Sequence, residues 1–160
     1  DVYKRQNMEL NKYIIIIIFI NLTNFLHADI IQPAKNLTAY DVVKIQLTAL
    51  KNNNKQSKND GIKQTWIFAH PENKKYTGPY ERFEKMILGN QYKILLNHTS
   101  HKISLITNSE DNYIYNIELI TKNKNIYFYE WHLEKSTTEK CGSCWFTTMV
   151  SPPVNIGDAI

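Results

Sequence analysis

The 160-residue sequence predicts an α+β domain in which three helical segments precede and cover an antiparallel sheet of four to five strands. Apolar residues recur at three- and four-residue spacing through Tyr40–Leu50, Ile62–Ala69 and Tyr80–Ile87. Beyond Gly89 the pattern changes to alternation, clearest in Tyr113–Thr121 and Ile126–Glu134, which flank the polar turn Lys122-Asn123-Lys124-Asn125 and read as a hairpin. Helices gathered on one side of a curved sheet bury both apolar faces and leave room for a cavity at the open end.

The chain opens with Asp1–Asn7, read as a non-native upstream extension because Met8 is the only methionine near the segment that follows. Residues 8–28 read as a secretory signal: Lys12, then an apolar core Tyr13–Ile20, then a small residue, Ala28, at the cleavage position. The core is too short for a comfortable membrane span, and Asn21 and Asn24 interrupt its continuation. An uncleaved anchor is the competing reading, and the only membrane association the sequence suggests. Export to a periplasmic or other secretory compartment is the expectation. The formal charge is +4, and removing residues 1–28 takes away three basic and two acidic groups, leaving +3. Lys51, Lys55 and Lys58 lie in an Asn-rich connector without interleaved aromatics, which argues against nucleic-acid binding.

Residues 29–37 form a lead segment, with Pro33 discouraging regular structure. The domain spans 38–153. Thr38 caps the first helix, with Asp41 in the capping-box position, and Tyr40, Val43, Leu47 and Leu50 form its apolar stripe. Asn52-Asn53-Asn54 ends it and begins a mobile connector. Asp60-Gly61 caps a second helix carrying Ile62, Trp66 and Ala69, and His70-Pro71 ends it, because proline lacks an amide proton and restricts its predecessor. Gly78-Pro79 starts the third, which buries Tyr80, Phe83 and Ile87 and stops at Gly89 in the left-handed conformation.

Four or five strands follow. Tyr92–Leu96 is a short candidate and His101–Thr107 a second; the hairpin supplies two more, and Trp145–Val150 precedes Ser151-Pro152-Pro153. Residues 154–160 read as a loose tail. In the hairpin, Tyr113, Tyr115, Ile117 and Leu119 share one face, while Tyr127, Tyr129, Trp131 and Leu133 share one face of the next strand. A turn of two unpaired residues sets Tyr115 on the side of Phe128, Glu130 and His132, whereas three sets it with Trp131.

Several residues invite a chemical reading. Cys141-Gly142-Ser143-Cys144 has CxxC spacing, and a structural disulfide or two unpaired thiols weigh more than redox exchange or metal ligation, which needs further convergent ligands. His70, His98, His101 and His132 are dispersed, so no metal site and no cofactor is expected. His98 reads first as a loop-stabilising residue and second as a polar pocket residue. Glu130 and His132 share a strand face and serve acid–base work only if they turn inward. Arg82 either anchors the third helix to a carboxylate or holds an anionic ligand. Trp66 reads as packing before ligand contact. Asn36-Leu37-Thr38 and Asn97-His98-Thr99 are glycosylation acceptors only in a eukaryotic secretory route.

The chain resembles the DUF4864 domain family within the nuclear-transport-factor-2-like superfamily. The resemblance rests on Val43, Gln46, Leu47 and Leu50, on Phe68-Ala69, Pro71 and Asn73, and on Thr77-Gly78-Pro79 with Glu81-Arg82-Phe83 and Met86. It continues through Tyr92, Leu95, Leu96 and His98 to Trp131, Leu133 and Cys144-Trp145, covering roughly residues 40–153. It implies a cone-like α+β domain with three helices on a bent antiparallel sheet, a shape shared by enzymes, ligand binders and assembly factors. The leading expectation is a non-catalytic domain binding an apolar small molecule or a protein partner, its pocket lined by Trp66, Tyr80, Arg82, Phe83, Tyr115 and Trp131. The alternatives are a cavity enzyme of isomerase or hydratase type using His98, Glu130 and His132, and an adaptor that dimerises through Tyr113/Tyr115 or Tyr127/Tyr129.

Overall fold

The computed structural model describes residues 30–159, so the upstream extension 1–7 and the signal segment 8–28 lie outside the described residues. Four helices precede an open five-stranded antiparallel sheet: α1 (Ala39–Lys51), α2 (Asp60–Ile67), α3 (Pro71–Thr77) and α4 (Tyr80–Leu88), then β1 (Ser100–Asn108), β2 (Asn112–Ile120), β3 (Asn125–Thr138), β4 (Gly142–Val150) and β5 (Val154–Asp158). The α+β class and the order of helices before strands hold. The helix count among the described residues does not, because α3 forms inside the expected connector. His70-Pro71 ends one helix and also starts another: Pro71 takes the first helical position, and His70 Nδ1 accepts the Glu72 backbone N–H at 3.2 Å.

Local chemistry accounts for the helix ends. Thr38 Oγ1 accepts the Asp41 N–H at 3.1 Å and the Asp41 carboxylate accepts the Thr38 N–H at 2.9 Å, a reciprocal cap on α1. At α2 the cap residue is Asn59, in the left-handed region at φ 58° and without a side-chain cap bond. Asp60 has another task. Its carboxylate accepts backbone N–H groups of Asn54 at 2.8 Å and Gln56 at 2.9 Å, so the connector expected to be mobile is a latched turn. Burial opposes charge on Asp60, but the N–H groups of Gln56, Ser57, Asn54 and Gly61 outweigh it and hold the carboxyl below its ordinary range. Gly89 ends α4 with extended backbone at φ −69°, not in the left-handed conformation.

The sheet runs β1-β2-β3-β4, with β5 also paired to β3. At 14 residues β3 is long enough for two partners on one edge: its first half pairs with β5 and its second half with β4. The stretch expected to be a loose tail thus supplies an edge strand, although every residue of β5 remains exposed. Tyr92–Leu96 is not a strand; Lys93–Leu95 forms a 3₁₀ turn, and the Asn97 N–H that follows it bonds the Leu50 carbonyl at the end of α1 at 2.9 Å.

The β2–β3 register settles the turn. Tyr115 pairs with Trp131 and Asn116 with Glu130, and the Thr121 N–H bonds the Asn125 carbonyl across the three residues 122–124, with Lys124 at φ 65°. Tyr115, Ile117, Leu119, Tyr129, Trp131 and Leu133 therefore share the inner face and are all buried. Val42, Val43, Leu47 and Leu50 of α1 pack on them. Trp66 fills the space between α2 and α4, its ring 5.0 Å from Phe83 and 6.5 Å from Tyr80.

Candidate functional site

Beneath α4 the inner face of the sheet is not fully covered. A cavity of about 220 Å³ opens there between α1, α4 and the paired ends of β3 and β4. Its walls are apolar, including Leu50, Phe83, Ile87 and Val150, and no charged side chain lines it. A larger groove of about 620 Å³ runs outside α1 and α2 beside the lead segment, but it is more open and bordered by Asp41, Lys44, Lys55 and Asp60. The smaller, less open cavity is the better candidate because small-molecule sites are concave, apolar and sparsely polar.

One wall of the cavity carries a buried uncharged network. Trp131 Nε1–H donates to Gln46 Oε1 at 3.0 Å and to Thr147 Oγ1 at 3.1 Å; Thr147 O–H donates to Gln46 Oε1 at 2.6 Å; Gln46 Nε2 donates to the Thr65 carbonyl at 3.1 Å. These partners fix the direction of every bond. An indole N–H only donates, so it must face the amide oxygen, and a backbone carbonyl only accepts, so it must face the amide nitrogen. Asn73 adds a bond from its side-chain amide to the Thr148 carbonyl.

Among the residues expected at the pocket, Phe83 and Trp131 border the cavity, while Trp66, Tyr80, Arg82 and Tyr115 do not. Tyr80 O–H bonds Glu84 at 3.0 Å, and burial together with that carboxylate pushes its phenol up to about 12. Arg82 is exposed, its stem lying over Gly78, and it forms no ion pair among the described residues, so the expected carboxylate anchor is absent there. Tyr115 and Tyr129 are buried in the chain's own core, which removes them from the surface available for dimerisation.

The three speculative proton carriers do not meet at the cavity. Glu130 and His132 bond each other at 3.2 Å, but they point to the outer face, alternating with buried Tyr129, Trp131 and Leu133. His98 is buried with its Nδ1 2.7 Å from the Leu95 carbonyl and its Nε2 2.7 Å from His101 Nδ1. The carbonyl only accepts, so His98 carries its proton on Nδ1 and the His101 Nδ1–H donates to His98 Nε2. Burial foremost, against the partial help of the Leu95 carbonyl, pushes His98 down to about 4.

Cys141 and Cys144 are joined in a disulfide at the tip of the β3–β4 hairpin, with Cys144 buried and Cys141 half-buried. Among the described residues no group of three or more His, Cys, Asp or Glu side chains is placed to hold a metal ion. No helix among them is long and apolar enough to cross a membrane.

The fold and site together define a helix-covered antiparallel sheet with an uncharged cavity beneath the last helix. No family model matches the chain, and neither does any curated protein or solved structure.

Gln46, Thr65, Asn73 and Thr147 do not ionise, so their side chains carry no titratable signal in the sequence. Gln46 had a signal of its own: it interrupts the stripe of Val43, Leu47 and Leu50, a polar residue on a buried helical face that needs a partner.

Proposed function

We propose that this protein is a non-catalytic binding domain for a small, neutral, largely apolar molecule, held in the cavity beneath α4. The observation that carries this reading is the cavity's composition: apolar walls, a fixed uncharged hydrogen-bond network and, as the one ionisable side chain in the lining, Tyr92, whose proton is committed to the Val150 carbonyl at 3.1 Å and whose phenol burial raises above its ordinary range. General acid–base chemistry needs a titratable group within reach of the substrate, and His98, Glu130 and His132 lie elsewhere. The isomerase-like reading is therefore second.

We also propose the cone-like shape of the nuclear-transport-factor-2-like superfamily for this domain, a reading for which the bulges in its ladders supply the bending. Membership of the DUF4864 family remains a proposal resting on the residues quoted above. We further propose export to an oxidising compartment, a reading that rests on the sequence of residues 8–28; in such a compartment a Cys141–Cys144 disulfide would persist.

Native mass spectrometry of protein isolated from its source cells tests the binding reading. The expected result is a copurifying small neutral molecule, released on unfolding. Bare protein that also shows no thermal shift with a library of neutral fragments overturns it.

A further inference from the structure

We infer that the ligand of this cavity is a hydrogen-bond donor, an alcohol, phenol or N–H heterocycle of one or two rings. The inference rests on the reading of the cavity as a binding site. Five residues that line the space carry a hydroxyl, and each already donates its proton to the protein. Thr65 donates to the Gly61 carbonyl at 2.9 Å, Thr77 to Asn73 at 2.8 Å and Tyr92 to Val150 at 3.1 Å. Thr147 donates to Gln46 Oε1 at 2.6 Å and Thr148 to the His132 carbonyl at 3.3 Å.

What these groups have left is lone pairs. A hydroxyl has one proton and two acceptor positions, so a side chain whose proton is committed can only accept from a newcomer. The side-chain amides of Gln46 and Asn73 each keep one further N–H, and Asn73 also keeps its carbonyl oxygen. The remaining capacity is thus weighted toward acceptors. A ligand that brings an O–H or N–H meets partners without breaking any bond already made. One that brings only acceptors competes for two amide protons or leaves its polar atom unpaired, which is unfavourable once that atom has left water.

Charge and volume narrow the class further. With no charged side chain in the lining, a carboxylate or ammonium is stripped of water without compensation. A cavity of about 150 Å³ lined by aliphatic and aromatic side chains takes up benzene. At about 220 Å³, with Phe83, Tyr92 and Trp131 on its walls, this one accommodates a fused bicycle.

Titration calorimetry of the full chain with three probes on one skeleton tests the inference: 2-naphthol, 2-methoxynaphthalene and 2-naphthoate. The expected order places naphthol about fivefold to tenfold tighter than the methyl ether, with naphthoate weakest. Two variants locate the site: Ala69→Leu fills it from the α2–α3 junction, and Met86→Trp fills it from a partly exposed position on α4 that leaves the core untouched. In either folded variant naphthol affinity should fall at least about tenfold, the loss expected when the occupied volume is taken by a side chain. Equal affinity for naphthol and its methyl ether, abolished by the variants, overturns the donor inference and leaves the binding site standing. Binding unaffected by Met86→Trp places the probe elsewhere and overturns the inference. No binding of any probe overturns both the inference and the reading beneath it.

Discussion

The helical layer meets its neighbours in two opposite ways. Where α2 crosses α1 there is no room at all: a Cβ added to Gly61 would stand 2.1 Å from the Ala49 carbonyl oxygen, backbone against backbone. Where α4 faces the sheet, Phe83 and Ile87 reach down to a cavity of about 220 Å³. The difference is one of side-chain size at the contact. Glycine lets two helices close completely, whereas Phe83 and Ile87 of α4 and Trp131 and Val150 of the sheet border a space that none of them fills. The close crossing makes α1 and α2 a rigid unit, and the cavity can then persist beside it without collapsing.

The sharpest way to break this comparison is Gly61→Ala. In an ordinary helix the change stabilises by about 1 kcal/mol, because alanine is the better helix former. Here the methyl group collides with backbone that cannot rotate away, and we expect a loss of about 4 kcal/mol in chemical denaturation, somewhat beyond ordinary overpacking. The sign alone decides the matter: a neutral or stabilising result would mean that the α1–α2 crossing is not closed.

Next in size is the response to acid of the third junction, where the 3₁₀ turn and His98 lie under the end of α1. His98 binds a proton near its ordinary value of 6.5 when unfolded but only at about 4 when folded. Between those values the unfolded chain holds more protons, so stability is complete above pH 6.5, falls as pH drops and levels off below 4. The shift corresponds to roughly 3 kcal/mol. His101, held low chiefly by burial and also by Lys51, adds to the same slope. Urea midpoints measured from pH 7 to pH 4 should show the loss in the wild type and a much flatter profile in His98→Asn. An equal slope in both would assign the acid sensitivity elsewhere. The cavity network, having nothing to titrate, should contribute none of it.

These regions also differ in how legible they were. The α1 stripe, α4 and the hairpin are legible because one-sided burial leaves a period, and Thr38 with Asp41 marks the first cap. The closed crossing is half legible: Asp60-Gly61 reads as a cap, since nothing in a linear sequence says which backbone will pass within contact distance. α3 was hidden by an ambiguity in His70-Pro71, where the same proline that cannot continue a helix is well suited to begin one. β5 was hidden because Ser151-Pro152-Pro153 reads as a terminator, and the need for a fifth strand comes from the unpaired half of β3, a tertiary circumstance. The pocket aromatics followed the same logic. Trp66 and Tyr80 are large and periodic, but their periodicity turns them toward each other across α2 and α4, while uncharged Gln46 and Thr147 give little signal because amides and hydroxyls are common everywhere.

Thr147→Val probes the cavity network with a smaller effect. It preserves shape but removes the oxygen that accepts from Trp131 and donates to Gln46. Trp131 keeps its second acceptor on Gln46, so the expected cost is about 2 kcal/mol, the range for disturbing a buried hydrogen bond without stranding a charge. Thermal unfolding checks it. A much larger loss would show that the network holds the sheet and α1 together, making the cavity a by-product of that bracing.

The smallest expected change concerns Tyr129, on the same inner face. Its hydroxyl is buried and without a hydrogen-bond partner among the described residues. Burial, reinforced by Tyr127 and Tyr92, raises its phenol well above the ordinary range. An unpartnered buried hydroxyl is a desolvation cost with no return, so Tyr129→Phe should be neutral or stabilise by about 1 kcal/mol. The Gly61 crossing has no slack for such a group, and the comparison therefore predicts that slack exists on the sheet side alone. If Tyr129→Phe instead destabilises by about 1 kcal/mol or more, the hydroxyl has a hidden partner, an ordered water or a bound molecule. A loss seen in protein from its source cells but not after refolding would identify that partner as the molecule itself.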